Sequence, residues 1–207
     1  MGSAQSGRVR QEDRSRRTRE RVLSSTVSLI RKEGLSSASP VRITQQTGMS
    51  WGAVQHHFGS KERLLRTIVL LSRDQFNEAA LAQDYSDLGL ADRISLFVES
   101  AWEHYQSDVF LASVEITFWH RNNGQLVAQD ISGDEGRTSS LTQAMVREVF
   151  AGTHAQPDKL AEATEYMHCV LTGLAFQMIL TGGSSSPARH LSHCKDAMSK
   201  IILGATE

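Results

Sequence analysis

Hydrophobic residues recur at helical spacing along almost the whole chain, with polar residues between them. From Val22 to Ile30 the apolar positions follow the 3.6-residue period, and Gly34 behind them predicts the end of a first helix. A later stripe at the same spacing consists of Ile94, Phe97, Val98, Ala101, Trp102 and Tyr105. Extended over the chain, the pattern predicts four helices before residue 76 and five after it. The expected fold class is therefore all-α, with about nine helices.

Two very short helices are predicted between residues 39 and 59. Ser39 followed by proline predicts the start of the first, and Gly48 predicts its end. Ser50 predicts the start of the second, "WGAVQHHF", which Gly59 ends. Two short helices joined by "TGMS" are typical of a helix-turn-helix, whose second helix enters the major groove of DNA. Gly52 costs helix stability, and we interpret it as a position where the backbone must approach DNA closely.

Charge is distributed unevenly, although the chain as a whole has a formal charge of −1. Residues 1–75 contain 14 Lys and Arg against 6 Asp and Glu, whereas residues 76–207 contain 8 against 17. A basic N-terminal third can neutralise phosphates, and an acidic remainder is repelled by them. The arginines between residues 8 and 19, taken alone, are more typical of a solvated, disordered tail. We therefore predict a basic flexible arm over 1–15, a helix-turn-helix DNA-binding domain over 16–76, and a regulatory ligand-binding and dimerisation domain over 77–207.

The stretch "VRITQQTGMSWGAVQHHFGSKERLL" resembles the DNA-binding signature of the tetracycline-repressor (TetR) family. The matching positions are Ile43, Gly48, Ser50, Gly52, His57, Phe58, Lys61, Glu62 and Leu64. This resemblance covers residues 16–76, and it implies a homodimeric transcriptional regulator, most often a repressor that a small molecule releases from its operator. Gln55 departs from the pattern, because the family usually has there a tyrosine that touches a phosphate. Gln55 could instead donate to a phosphate or pair with adenine.

The predicted DNA-contacting residues lie on the two short helices and at the start of the fourth. They are Ser39, Arg42, Ser50, Trp51, Gly52, Ala53, Gln55, His56 and Lys61. Gln55 and His56 should face outward if His57 and Phe58 face the core. Arg42 and Lys61 are candidate phosphate anchors. For Trp51, contact with DNA and packing onto helix four are equally open.

Aromatic and polar side chains on the later helices suggest a ligand pocket. The predicted ligand-binding residues are Phe97, Trp102, Phe110, Glu115, Phe118, Trp119, His168 and Phe176. An apolar pocket with a few polar anchors would suit a mostly hydrophobic small molecule with one polar end. An aromatic stripe is, however, also typical of plain core. Glu115 needs a partner, which Arg121, a ligand, or a structural ion pair or hydrogen bond could provide.

The last two helices are the predicted dimer contact. Helix eight, with "YMHCVLTGLAFQMIL", is apolar on nearly every side, which predicts burial all round. Helix nine adds a stripe of Leu191, Cys194, Met198, Ile201 and Ile202. A symmetric dimer would place two recognition helices about 34 Å apart.

Catalytic and membrane motifs are not found in the sequence. We find no zinc-protease, nucleophile-elbow or nucleotide-binding pattern in the sequence. We therefore expect that the protein is not an enzyme and needs no cofactor. Glu165 and His168 form one Glu-x-x-His unit, whereas a di-iron site needs two. His190, His193 and Cys194 could hold zinc or copper, but interface packing and surface histidines explain them more simply. With neither a long apolar stretch nor a signal peptide, the protein is expected in the cytoplasm. The alternative function is a helical small-molecule or metal-binding sensor without operator-specific DNA binding.

Overall fold

The computed structural model describes residues 2–122, 141–182 and 186–204, and this part of the chain is helical with no strand. The elements are α1 (Gly2–Glu33), a 3-10 turn (Leu35–Ser37), α2 (Pro40–Thr47), α3 (Trp51–Phe58), α4 (Lys61–Leu81), α5 (Leu90–Tyr105), α6 (Asp108–Asn122), α7 (141–149), α8 (Pro157–Leu180) and α9 (Ala188–Leu203). The predicted fold class, all-α with about nine helices, is confirmed.

The ends of α2 and α3 are set by the residues that the sequence singled out. The Ser39 side chain accepts a hydrogen bond from the Arg42 backbone N–H at 3.3 Å, and Ser50 accepts one from Ala53 at 3.3 Å. Gly48 ends α2 in the left-handed conformation, with φ 67° and ψ 20°. Each cap satisfies a backbone group that the helix itself leaves without a partner. The predicted boundaries of both short helices are therefore confirmed.

The described chain divides into two compact units, of which the first comprises residues 2–72 and 108–122. Its core combines residues of α1, α2, α3 and the first half of α4 with three from α6, namely Val109, Ala112 and Ile116. Arg31 of α1 holds α6 through Asp108, at 3.3 Å between Nε and Oδ1. The unit thus differs from the predicted DNA-binding domain of residues 16–76, because α6 presents a buried apolar face that belongs to this core.

The N-terminal helix also differs from its prediction. α1 begins at Gly2, where the sequence suggested a flexible arm through residue 15. Acidic residues interrupt the basic run at helical spacing, so that Arg16 pairs with Asp13 at 3.3 Å and with Glu20 at 3.2 Å. Such i,i+3 and i,i+4 pairs support a helix against the repulsion between like charges that predicted disorder.

The second unit comprises residues 73–107, 141–182 and 186–204. Its core includes Phe97 on α5, whose ring lies 6.2 Å from Phe76 and 5.8 Å from Phe150. α9 packs along α5 and α8, and Lys195 bonds to Ser95 at 2.8 Å and pairs with Glu99 at 2.5 Å.

The burial of α8 and α9 differs in part from the predicted dimer contact. Within the single chain, α8 is buried on one side only, and Leu180 on the other side is 86% exposed. Cys194, Met198 and Ile202 of α9 are at most 6% exposed. These three residues therefore fill the core of their own unit, and assigning them to the dimer contact was wrong, whereas Leu191 and Ile201 of the same stripe are half-buried.

Candidate nucleic-acid interface

Helices α2 and α3 are anchored to the first unit by a few fully apolar side chains. Ile43 of α2 is 0% exposed, and Val54 and Phe58 of α3 are 1% and 6% exposed. Met49, in the turn between the two helices, packs against the same core. Each helix thus buries one face in this core, and the opposite face of α3 is exposed to solvent.

The exposed face of α3 carries the side chains expected to read DNA. Gln55 and His56 are exposed, as predicted, and so are Ser50 and Gly52. Ala53 is half-buried. A Cβ atom built on Gly52 would meet nothing within 4 Å, so the protein itself gives no steric reason for a glycine there.

Trp51 and the His57–Phe58 pair have mixed environments. Trp51 is half-buried and packs against the core of the first unit, which supports packing over a free DNA-facing ring. Phe58 is buried, as expected, whereas His57 is only half-buried. Burial lowers the pKa of His57, and the nearby charges of His56 and Arg19 lower it further.

Arg19 contacts the end of α3, and the sequence did not predict this contact. Its guanidinium donates to the backbone carbonyl of His57 at the end of α3, and it lies 4.5 Å from the centre of the Phe58 ring. A cation at a helix C-terminus is favourable, and so is a cation over an aromatic face. Nothing in the sequence signals this pairing, because the two partners are 38 residues apart.

The predicted phosphate anchors differ in how available their charges are. Arg42 is exposed, but its guanidinium contacts the Glu33 carboxylate and donates to Gln45 at 3.3 Å. Phosphate contact would have to compete with Glu33 for this charge. Lys61 is half-buried, with its Nζ atom 5.7 Å from the centre of the Trp119 ring. At the start of α4, the Ser60 hydroxyl oxygen accepts a hydrogen bond from the Arg63 N–H at 3.2 Å.

The predicted ligand-binding residues are divided between the two units. Phe97, Trp102, His168 and Phe176 belong to the second unit, and Phe110, Glu115, Phe118 and Trp119 belong to the first. Phe118 is 52% exposed, and Trp119 packs against the first unit's core. Neither unit by itself contains the whole predicted set.

Glu115 has its partners inside the first unit. Its carboxylate lies 3.7 Å from Arg31 and accepts a hydrogen bond from the Leu35 N–H at 3.2 Å. Of the possibilities considered for Glu115, the structure thus provides a structural ion pair and a hydrogen bond. That pair is formed with Arg31, and the suggestion of Arg121 was wrong.

A cluster of polar aromatic residues lies within the second unit. The Tyr105 hydroxyl and His168 Nδ1 are hydrogen-bonded, and the Phe76 ring lies 5.7 Å from His104 and 6.3 Å from Tyr105. Burial, with a smaller effect of His168, lowers the pKa of His104 to about 4. His104 is therefore neutral at physiological pH.

The candidate metal ligands on α9 do not come together as a site. His190 and His193 are exposed, while the Cys194 thiol is buried in the core. Across the described ranges, no three His, Cys, Asp or Glu side chains are grouped as a metal site would require. The same part of the chain contains no helix with the length and apolar character needed to cross a membrane.

In sequence, the chain is similar to helix-turn-helix regulators. No family profile matches the chain. The helix-turn-helix transcriptional regulator BetI 2 of Chromohalobacter salexigens is 24% identical over 181 residues, which is 84% of this chain and 84% of that protein. BetI of Stenotrophomonas maltophilia is 28% identical over 103 residues, or 49% of this chain and 52% of that protein.

Solved structures show the same fold. A TetR family regulator from Marinobacter aquaeolei VT8 aligns with a TM-score of 0.65 at 18% identity, over 93% of this chain and 98% of that one. A TetR regulator from Rhodococcus sp. RHA1 aligns with a TM-score of 0.61 at 15% identity, over 92% and 99%. The multidrug binding protein EbrR in complex with imidazole aligns with a TM-score of 0.58 at 13% identity, over 89% and 94%. The chain therefore has the fold of the TetR-family transcription regulators, and its sequence resembles helix-turn-helix regulators over most of its length.

Proposed function

We propose that this protein is a homodimeric DNA-binding transcriptional repressor that reads its operator with α3 and leaves it when a small molecule binds. The observation that carries the proposal is the solvent face of α3, where Gln55 and His56 extend beside an unhindered glycine. A short helix anchored by Val54 and Phe58, with polar side chains on its other face, has the form of a recognition helix.

Gly52 supports a close approach to DNA. Glycine in a helix interior costs about 1 kcal/mol relative to alanine. Because an added Cβ would meet nothing in the protein, alanine should fit at this position. The remaining reason for glycine is an external surface that comes close to the backbone, and we assign that surface to the major groove.

Charge supports the same interpretation. The strongly basic residues 1–75 include all the predicted phosphate contacts, and the remainder of the chain is acidic. The N-termini of α2 and α3, capped by Ser39 and Ser50, present backbone N–H groups that suit phosphate oxygens. DNA affinity should accordingly fall steeply with salt concentration.

Dimerisation would follow from the exposed side of α8. Tyr166, Ile179 and Leu180 are 41%, 49% and 86% exposed in the single chain, which is unusual for large apolar side chains on one helix. Pairing α8 with its symmetry copy would cover them and supply the second recognition helix. α9 would contribute through its outer side, where Leu203 is 68% exposed.

Release by a small molecule is suggested by the fold and by one structural relative. EbrR, which shares the fold, is described as a multidrug binding protein. In the present chain, we propose that Phe97, Trp102, His168 and Phe176 of the second unit contribute to the effector site. Glu115 is the weakest member of the predicted set, because Arg31 and the Leu35 N–H already bind its carboxylate.

The test is a DNA-binding series on the full-length protein. A footprint on DNA flanking the gene identifies the operator, and affinity is then measured for operator and random duplex over a range of salt. We expect Gln55→Ala to weaken operator binding by about 1–3 kcal/mol with little effect on random DNA. Lys61→Ala should weaken both alike and reduce the salt slope by about one unit.

Gly52→Ala tests whether the backbone at this position approaches the major groove of DNA closely. It should leave the protein folded, and slightly more stable, while it weakens operator binding. Equal loss of operator and random DNA affinity in Gln55→Ala would remove Gln55 as a base-reading residue. If the wild-type protein binds no duplex DNA at about 50 mM salt, the repressor proposal fails and the sensor alternative gains support.

A further inference from the structure

An open pocket of about 460 Å³ lies in the second unit, beside the segment that joins α4 to α5 and the segment that follows α7. Its walls include Leu81, Tyr85, Arg93, Glu148 and Val149. None of these residues belongs to the predicted effector site. The volume is within the range of sites that bind small organic molecules, about 300–1,000 Å³.

Arg93 is a buried cation in this pocket. The residue is 7% exposed, although it carries a permanent charge. Its Nε donates to the Leu88 carbonyl at 2.8 Å, and its Nη1 donates to the Val149 carbonyl at 2.7 Å. These two bonds fix the plane of the guanidinium. Within the described ranges, no carboxylate lies at ion-pair distance from Arg93, so its charge is held in place without a neutralising partner.

Tyr85 is the second polar group of the same wall. It is 8% exposed, and in the described structure its hydroxyl oxygen is buried with no hydrogen-bond partner. Burial raises the pKa of Tyr85 to about 12, and the positive charge of Arg93 offsets part of that effect. The hydroxyl therefore stays protonated and can donate. Leaving such a group without a partner is costly, which suggests that a ligand supplies the acceptor.

We propose that this pocket binds a small organic carboxylate, whose oxygens accept hydrogen bonds from the free N–H groups of Arg93 and, when the Tyr85 side chain turns toward the ligand, from its hydroxyl. Guanidinium and carboxylate match in geometry, and hydrogen bonds between charged groups are the stronger class. Leu81 and Val149 provide apolar wall for the body of the ligand. The Glu148 carboxylate, also on the wall, is exposed and selects against ligands with more than one negative charge.

Benzoate is the probe, and benzamide, of the same shape without the charge, is its control. The full-length protein, labelled with ¹⁵N and free of DNA, is titrated at pH 7 while the Arg93 Nε–Hε resonance is followed by NMR. We expect saturable benzoate binding that shifts this resonance, with benzamide at least about tenfold weaker. Glu148→Gln should bind benzoate more tightly, because a like charge has been removed.

Substitution of Arg93, for example Arg93→Lys, would disturb the fold as well as ligand binding, because it also removes the bonds to Leu88 and Val149. Tyr85→Phe is therefore the decisive variant. The Tyr85 hydroxyl has no partner in the described structure, so its removal should not lower the free energy of unfolding in urea and should raise it slightly. It should nevertheless weaken benzoate binding by about tenfold, the value of one hydrogen bond to a charged group. Equal affinity for benzoate and benzamide, no saturable binding, or undiminished benzoate affinity in Tyr85→Phe would overturn the proposal. Since the experiment contains no DNA, each result is independent of the repressor proposal.

Discussion

Replacing Arg19 by alanine should loosen the recognition helix from the body of the first unit. Arg19 makes two contacts with the end of α3, a hydrogen bond to the His57 carbonyl and a ring contact with Phe58 at 4.5 Å. A hydrogen bond from a charged donor contributes about 1.5–3 kcal/mol, and a cation–π contact contributes about 0.5–2 kcal/mol. Because Arg19 is half-buried and solvent weakens both contacts, we expect a loss of about 2 kcal/mol in the free energy of unfolding.

Tryptophan fluorescence can isolate this effect. Trp51 and Trp119 pack against the core of the first unit, whereas Trp102 lies in the second. In a Trp102→Phe background, fluorescence during urea unfolding thus reports on the first unit. A loss of about 2 kcal/mol should lower the midpoint by about 1 M urea, for a slope near 2 kcal/mol per M.

Two control variants separate the contact from the charge. Arg17→Ala removes a cation from an exposed position of the same helix and should change the midpoint very little. Arg19→Lys keeps the charge near the α3 carbonyls but loses the planar stacking, and its effect should be intermediate. If Arg19→Ala and Arg17→Ala shift the midpoint equally, the α1–α3 contact contributes nothing beyond net charge and the reasoning is wrong.

Two further perturbations test the turn and the buried histidine. Gly48→Ala should lower the stability of the first unit by about 1–2 kcal/mol in the same assay, because φ of 67° strains any residue with a Cβ; a midpoint equal to that of wild type would show that the turn relaxes. His104 has a folded-state pKa of about 4, below its unfolded value near 6.5, so its contribution to stability is complete above pH 6.5 and is lost as the pH falls toward 4. Between pH 7 and pH 5 the second unit should lose about 2 kcal/mol through this residue, as followed by Trp102 fluorescence in a Trp51→Phe, Trp119→Phe background. His104→Gln should remove that part of the pH dependence, exposed His154→Gln should not, and the same pH dependence in both would refute the assignment.

The parts of the fold that could be predicted are those encoded between near neighbours. Ser39, Gly48 and Ser50 act on backbone groups within four residues, so their roles could be read directly from the chain. The outward direction of Gln55 and His56 followed from helical periodicity in the same way. The boundaries of α2 and α3 and the exposed face of α3 were accordingly correct.

The parts that could not be predicted depend on residues far apart in the chain. Arg19 meets His57 across 38 positions, and Glu115 meets Leu35 across 80. Periodicity reports which face of a helix is buried, but it does not report which neighbour covers that face. Cys194, Met198 and Ile202 of α9 were recognised as apolar for this reason, but their own unit covers them, and the predicted partner subunit does not. The pocket of Tyr85 and Arg93 was missed because its residues come from segments about sixty positions apart that carry no motif.

The membership of α6 in the first unit affects how the protein folds during synthesis. The ribosome releases α1 to α4 first. The core of the first unit is complete only after residues 73–107 and then α6, with Val109, Ala112 and Ile116, have also emerged. Closing a chain segment of about that length costs roughly 3 kcal/mol of entropy, which the α6 contacts must offset. Until then, the apolar side chains that α6 covers remain open to chaperones and to other nascent chains. A fragment ending near residue 76 would remain in that state permanently, so an isolated helix-turn-helix segment should be prone to aggregate unless α6 is supplied with it.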